Sequence, residues 1–382
     1  VSSLDWDAHW TSKQQIVHRL AAKNRILYIE EPVTMLAPLK ERRYWKRWRA
    51  VWPRLRAVEP GLWALTLPPL LPFGNLRRGI NRANQWVISR YIRRAVCRLG
   101  LTQYLLWSYL PTAADLLDFL EPVAVVYHCV DEYSAFPGFV NPKTVRGYDE
   151  RLSRRADVVI CTAENLRRSR AGWNPHTYHV PNAADVQHFK QALDPALPLP
   201  ADVAALPRPR IGLIGVMDER FDVEAIRVLA EADPTWSVVL VGPIRPGDVD
   251  VRVLERLPNV HMLGNKPVKD LPAYAKALDV ALIPYRAMEL TRNIFPLKLF
   301  EYLAAGLPVV VGGLPELEKY RGTIMIADSP ADYPVLVQRA LTEDTLERRK
   351  ERVRLAEENS WEHRVEEISS LVEAMLERKG LK

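Results

Sequence analysis

A chain of 382 residues is longer than one hydrophobic core usually supports, so two domains of ordinary size are expected. Nearly half of the residues are apolar, which excludes a disordered chain. No run reaches the ~20 apolar residues of a spanning helix, because GLWALTLPPLLPFG (61–74) is short and broken by prolines. The net charge of +7 is concentrated: Lys40 to Ala114 holds fifteen Lys/Arg against Glu41 and Glu59, which points to a local anionic partner.

In chain order, strand-like apolar runs occur at RILYIEE (25–31), LWALTL (62–67), QYLLWSYL (103–110), VAVVYHCV (123–130) and ADVVICTA (156–163). A Pro/Ala/Leu stretch at 191–209 reads as a linker. Alternation then resumes at IGLIGV (211–216), WSVVLVG (236–242), NVHMLG (259–264), DVALIPY (279–285), LPVVVGG (307–313) and TIMIAD (323–328). Apolar strands alternating with helices indicate parallel sheets covered on both faces. The expected division is a first domain over 1–190, a linker over 191–209, a second domain over 210–358 and a C-terminal helix over 359–382 that packs back toward the first domain. Cys97, Cys129 and Cys161 have no metal-ligand spacing and read as buried apolar residues of a protein in a reducing cytosol.

Between the first two strands lies KERRYWKRWRAVWPRLR (40–56). On a helical wheel Trp45, Trp48, Val51, Trp52 and Leu55 share one arc, and Lys40, Arg42, Arg43, Lys46, Arg47 and Arg49 the other, with Pro53 expected to end the regular helix near Trp52 and leave Leu55 at its margin. Stacking on bases would interleave aromatics with cations. Segregated faces fit an interfacial helix on anionic lipid, with RRGINRANQWVISRYIRR (77–94) extending the patch. A core-packing helix is the alternative.

In the second half, NIFPLKLFEYLAAGLPVVVGG (293–313) combines Pro296 at a helix start with Gly306 at its stop. The wheel puts Lys298, Glu301 and Tyr302 on one face and Leu297, Leu299, Phe300 and Leu303 on the other. Lysine in a first turn opposes the helix dipole, an order that suits a bound anion, and the carboxylate one turn on can accept hydrogen bonds from ribose hydroxyls. A plain surface Lys–Glu pair is the competing reading.

The pattern P-L-K-x-x-E-Y-L-A-A-G-x-P-V-V resembles the donor signature of group 1 bacterial glycosyltransferases of the GT-B fold. SSLDWD, VVYHCVDEYSAFPG, ADVVICTAENL, VPNAAD, IGLIGVMDERFD, LVGP and NVHMLG follow in the order expected of teichuronic acid and exopolysaccharide glycosyltransferases, glucuronosyltransferase-like members included. The resemblance implies an α/β protein of two doubly wound, Rossmann-like domains facing across a cleft. It also implies transfer from a nucleotide sugar, with a UDP-sugar favoured, to a lipid-linked or polysaccharide acceptor. By the same resemblance Lys298 binds the donor diphosphate with backbone N–H groups near Asn293 and Ile294, and Glu301 holds the ribose. Arg220, beyond Gly215, is a second phosphate contact, while Gly242 and the loop at Val268 border the base. Asn293 stands where many relatives have a glutamate, which weakens an assignment to retaining chemistry, and VPNAAD replaces the common VPNGVD.

Activating an acceptor hydroxyl requires a carboxylate or imidazole near the reacting carbon. Asp131, at the end of VAVVYHCVD, is the expected general base, with helix capping an equal alternative; Glu132 is second, and His128 reads as structural. His9 and Trp10, beside Asp5 and Asp7, are expected to line the acceptor side, with ordinary capping and packing an equal alternative. No motif has metal-ligand spacing, so no metal and no cofactor are expected. The expected partners are the nucleotide sugar, a lipid-linked saccharide and an anionic membrane surface, not nucleic acid, with the protein cytoplasmic and peripheral to the inner face of the plasma membrane. A single-stranded nucleic-acid-binding protein and a catalytically silent sugar-binding protein are the rival readings.

Overall fold

The computed structural model of the protein describes residues 1–8, 10–40, 44–45, 54–136, 140–245 and 247–381. The chain forms two compact units, Val1–Pro181 with Val365–Lys382, and Asn182–Arg364. Arg42, Arg43, Lys46, Arg47, Trp48, Arg49, Trp52 and His9 lie outside the described residues.

The first unit contains β1 (Ile26–Ile29), β2 (Arg54–Glu59), β3 (Leu62–Thr66), β4 (Leu105–Ser108), β5 (Ala124–Cys129), β6 (Val158–Cys161) and β7 (Thr177–His179). Its helices are α1 (Ser12–Ala21), α2 (Ala37–Lys40), α3 (Arg78–Arg98), α4 (Pro142–Arg155) and α5 (Glu164–Ala171). Strands β4-β5-β6-β7 form a parallel sheet, and β1-β3-β2 a smaller one in which β2 runs antiparallel to β3. The first residues bond to both sheets: the Ser2 amide donates to Ile29 O at 3.0 Å, and the Tyr109 amide to Val1 O at 3.0 Å. Strand β5 is buried along its whole length, as a central parallel strand must be. Thr11 and Gln14 form a capping box at the start of α1 and so fix the position of Lys13.

Strand β2 corrects the helical reading of 40–56 at its C-terminal end. Leu55 belongs to a strand paired with Leu65, not to a tryptophan face. The RLRAVE stretch forms the edge strand of the smaller sheet. Trp45 is helical and 45% exposed.

The second unit is a six-stranded, wholly parallel sheet in the order β10-β9-β8-β11-β12-β13. These strands are β8 (Arg210–Ile214), β9 (Ser237–Val241), β10 (Val260–Gly264), β11 (Val280–Ile283), β12 (Val309–Gly312) and β13 (Met325–Ala327). This is the doubly wound Rossmann order, with the reversal between β8 and β11. The helices are α6 (Val186–Lys190), α7 (Ala201–Ala204), α8 (Val223–Ala232), α9 (Leu271–Ala277), α10 (Lys298–Ala304), α11 (Tyr333–Thr342) and α12 (Leu346–Glu357). The final helix, α13 (Trp361–Arg378), begins in the second unit and delivers Ile368, Val372 and Met375 to buried positions in the first.

The stretch 191–209 is not a free linker. Ala192 and Val203 are buried in the second core, and Lys276 Nζ donates to the carbonyls of Asp194, Pro195 and Leu197 at 2.7, 2.9 and 2.7 Å. Its Pro/Ala composition suggested a spacer, but buried apolar side chains and one lysine satisfying three carbonyls fasten it to α9. Helix α10 is braced from later in the chain: Arg352, on α12, donates from Nε and Nη2 to Gly306 O at 3.1 and 2.7 Å. Gly306 takes φ of 74°, as a helix stop of this type requires.

Candidate active site

In the second unit the sheet edge is carved by glycine. Gly215 ends β8 with φ of 154°, and Gly242 ends β9 with φ of 140°. A Cβ on Gly215 would fall 2.0 Å from Lys298 Nζ, and one on Gly242 would fall 2.0 Å from Gly215 O. Any larger residue at 215 would therefore displace the ammonium, and any larger residue at 242 would strike the backbone beneath it. The Gly215 amide donates to Val241 O at 2.7 Å and the Gly242 amide to Gly264 O at 2.8 Å, which locks both turns.

Lys298 opens α10, and Glu301 follows one turn later. Burial raises the Glu301 carboxyl above its ordinary range, against the opposing charges of Lys298 and His188. Asp185 caps α6 through the His188 amide at 3.2 Å, and His188 Nε2 donates to Val268 O at 2.9 Å. Gly215, Gly242, Lys298, Glu301 and the Val268 loop, all expected from sequence, thus belong to one connected region, joined by His188 and Asp185, which the sequence reading did not single out. The pattern VPNAADVQH carried that signal, since its Asp sits at a cap position three residues before the histidine.

Three expectations need correction here. Tyr302 does not share the Lys298 face: it is fully buried, accepting from the Ile214 amide at 2.8 Å and donating to Ile214 O at 3.3 Å, which ties α10 to β8. The amides of Asn293 and Ile294 are already used, donating to Leu290 O and Thr291 O at 3.2 and 3.3 Å, so they are not phosphate donors. The Asn293 side chain itself turns back to Glu289 O at 2.9 Å. Arg220 is held by Asp218, with Nε on Oδ1 at 2.8 Å and a second bond from Nη2 to Oδ2, and lies 5.3 Å from the Tyr285 ring centroid. Burial raises the Asp218 carboxyl, but Arg220 outweighs this and holds it below the ordinary range. A phosphate at Arg220 would therefore compete with a resident carboxylate.

In the first unit Asp131 follows β5, and its carbonyl accepts from Cys129 Sγ at 3.5 Å. Beside it lies Lys13, only 7% exposed, which no motif indicated. Burial lowers the Lys13 ammonium, while Asp131 and then Glu31 draw it back up. His128 is buried, with ring centroids of Trp107 and Tyr109 at 5.9 and 5.0 Å. Burial and then the charge of Lys13 push its imidazole down to about 3, so it is neutral at physiological pH.

Glu132 is corrected from an acceptor-side group to part of an ion network. Its Oε2 meets Arg170 Nη1 at 2.8 Å and its Oε1 accepts from Ser134 at 2.6 Å, while Arg170 also bonds Asp149. Arg170 is 1% exposed. Trp10 is 37% exposed and packs edge-on to Trp6 at 5.5 Å. Among the described residues no group of three His, Cys, Asp or Glu could hold a metal, and no helix is long and apolar enough to cross a membrane.

Two doubly wound units, one with a glycine-cradled lysine at its strand ends, define a GT-B protein of the glycosyltransferase class. Residues 208–343 match the family "Glycosyl transferases group 1". The chain is 30% identical over 277 residues to TuaH of Bacillus subtilis (strain 168), a glycosyltransferase assigned to teichuronic acid biosynthesis, covering 67% of this chain and 68% of that protein. It also superposes on sucrose-phosphate synthase from Thermosynechococcus elongatus (TM-score 0.70, 16% identity, 96% of this chain and 93% of the other). A further match is Anabaena HepE in complex with UDP and glucose (TM-score 0.63, 14% identity, 95% of each chain). The chain belongs to the group 1 glycosyltransferases.

Proposed function

We propose that this enzyme transfers a glycosyl group from a nucleotide sugar, a UDP-sugar in preference, to a lipid-linked saccharide during cell-surface polysaccharide synthesis. The observation that carries the donor half is Lys298 Nζ seated over Gly215, with Glu301 one turn along the same helix. In this reading the ammonium opposes the charge that develops on the departing diphosphate. The N–H groups of Leu297 and Lys298, at the start of α10 where a helix leaves donors unused, replace those of Asn293 and Ile294 as phosphate contacts. Glu301 accepts from the ribose hydroxyls, and the Val268 loop, held by His188, borders the base.

On the acceptor half, Asp131 takes the proton of the attacking hydroxyl as the bond from acceptor oxygen to anomeric carbon forms and the carbon–phosphate oxygen bond breaks. Lys13 beside it favours the ionised carboxylate that this step needs. Because Lys298 supplies the positive charge, transfer is expected to persist in EDTA. The family resemblance to teichuronic acid enzymes supports the polysaccharide setting. The basic, tryptophan-rich sequence at 40–56 supports action at the inner face of the plasma membrane, with Trp45 exposed.

The test is thermal shift with UDP-, GDP- and ADP-sugars, followed by transfer assays. A matching donor at one hundred times its Kd should stabilise the protein by about 2.7 kcal/mol. Lys298→Ala should melt like the parent without donor, lose that shift, and cut transfer by roughly 10²–10³. Undiminished turnover in Lys298→Ala would show that the diphosphate is held elsewhere.

A further inference from the structure

Three adjacent parallel strands of the second unit end on glycines of positive φ: Gly215, Gly242 and Gly264, at 154°, 140° and 68°. The residues after the last of them, 265–268, form a loop beyond the carboxyl end of β10, where ligands of such sheets bind. A run of side chains connects this loop to the lysine seat. Glu301 lies one helical turn from Lys298, His188 acts on the charge of Glu301, and His188 Nε2 donates to Val268 O at 2.9 Å. Diphosphate, ribose and base follow one another in that order along a nucleotide.

Residues 265–267 belong to neither helix nor strand, and Asn265, Pro267 and Val268 are exposed. Two ties from earlier in the chain hold the loop. His188, on α6, takes the Val268 carbonyl. Lys266 Nζ donates to Asp202 Oδ2 at 2.6 Å, and Asp202 lies on α7, 64 residues earlier, within the stretch composed like a spacer. The Tyr274 hydroxyl is 3.0 Å from both Asp202 oxygens, and the Lys266 ammonium is 5.4 Å from the Tyr274 ring centroid. This is not an open surface pair, since the Lys266 side chain is 22% exposed and Tyr274 only 5%. Both anchors are rooted: Val203, next to Asp202, and Phe189, next to His188, are buried in the second core. A loop without ties would have to be ordered by the arriving nucleotide, and ties made on folding remove that cost from binding.

We infer that Asp202 and Lys266, together with His188, are positioning residues for the donor: they set 265–268 in place before the nucleotide arrives. The spacer-like segment thereby controls affinity for the nucleoside half of the donor. The inference rests on the donor reading above for the ligand that the loop meets. The test is isothermal titration of the full chain with UDP and with inorganic pyrophosphate, which lacks the nucleoside. Asp202→Ala and Lys266→Met should each weaken UDP about tenfold and leave pyrophosphate unchanged. The double variant should lose no more than either single one, because one pair is removed in each case. His188→Ala should also weaken UDP alone, and His188→Gln, which keeps a donor for Val268 O, should restore most of the loss. Without ligand, the amides of Asn265, Lys266 and Val268 should exchange hydrogen faster in Asp202→Ala than in the parent. A merely structural role would weaken both ligands alike, and that result overturns the inference. So does unchanged UDP affinity, unchanged exchange, or a larger loss in Lys266→Met than in Asp202→Ala, which would put the ammonium on the nucleotide itself. A parent that binds neither ligand overturns the donor reading and this inference with it, whereas a parent that binds both, with variants that match it, overturns the positioning role alone.

Discussion

The two units place a lysine beside the ends of parallel strands by opposite means. Lys298 is accommodated by removal: two glycines clear the space its ammonium occupies. Lys13 is accommodated by enclosure: it is sunk beside Asp131, Glu31 and the Tyr109 ring, 5.8 Å away, and pays for burial with a lowered pKa. The first arrangement leaves a cation ready for an arriving anion. The second presets the electrostatics of a carboxylate that is already there. One unit is therefore shaped by backbone and the other by a charge network, and substitutions should divide along that line.

The largest effect is expected in the network. Arg170→Met leaves Asp149 and Glu132 without their shared cation and should cost about 3–5 kcal/mol in chemical denaturation. A loss no greater than that of an exposed ion pair would mean the first unit does not depend on buried charge. Next comes the backbone-shaped unit: Gly242→Ala should cost roughly 1–3 kcal/mol from its positive φ, and the forced shift of Gly215 should also remove the donor-induced thermal shift. Retention of that shift would show that the lysine seat tolerates movement.

The smallest effect, and the one that separates stability from binding, is at Glu301. Its carboxyl is raised in the folded protein, so folding favours the protonated form. Its contribution to stability is full below the ordinary carboxylate value of 4.5 and is lost as pH rises through the raised value. Glu301→Gln should therefore melt progressively higher than the parent as pH increases through that window, while binding the nucleotide sugar less tightly. A pH-independent difference in melting temperature would place the carboxyl in a water-like setting and remove the cost assigned to it.

Sequence was most informative where one local rule decides the outcome. Glycines after apolar strands fixed the β8 and β9 turns, and a lysine in a first helical turn marked the seat above them. It failed where the deciding partner is distant. Tyr302 looked like a face-mate of Lys298, yet its hydroxyl is claimed by Ile214, 88 residues earlier. Glu132 looked available until Arg170, 38 residues on, took it. Lys13 carried no local mark, because its burial is a property of the assembled unit. The 191–209 segment was misjudged for the same reason: its composition is that of a spacer, but α9 supplies the donor its carbonyls need.

Gly306 gives the donor motif a dependence on time. The carbonyl that ends its helix is held by Arg352, 46 residues further along, and the family match stops at residue 343. At synthesis rates of roughly 5–20 residues per second, the complete lysine motif is made seconds before the residue that steadies it. A fragment cut at the family boundary would hold every residue of the signature without that brace. The end of the lysine helix is thus steadied by an arginine outside the motif rather than by the motif itself.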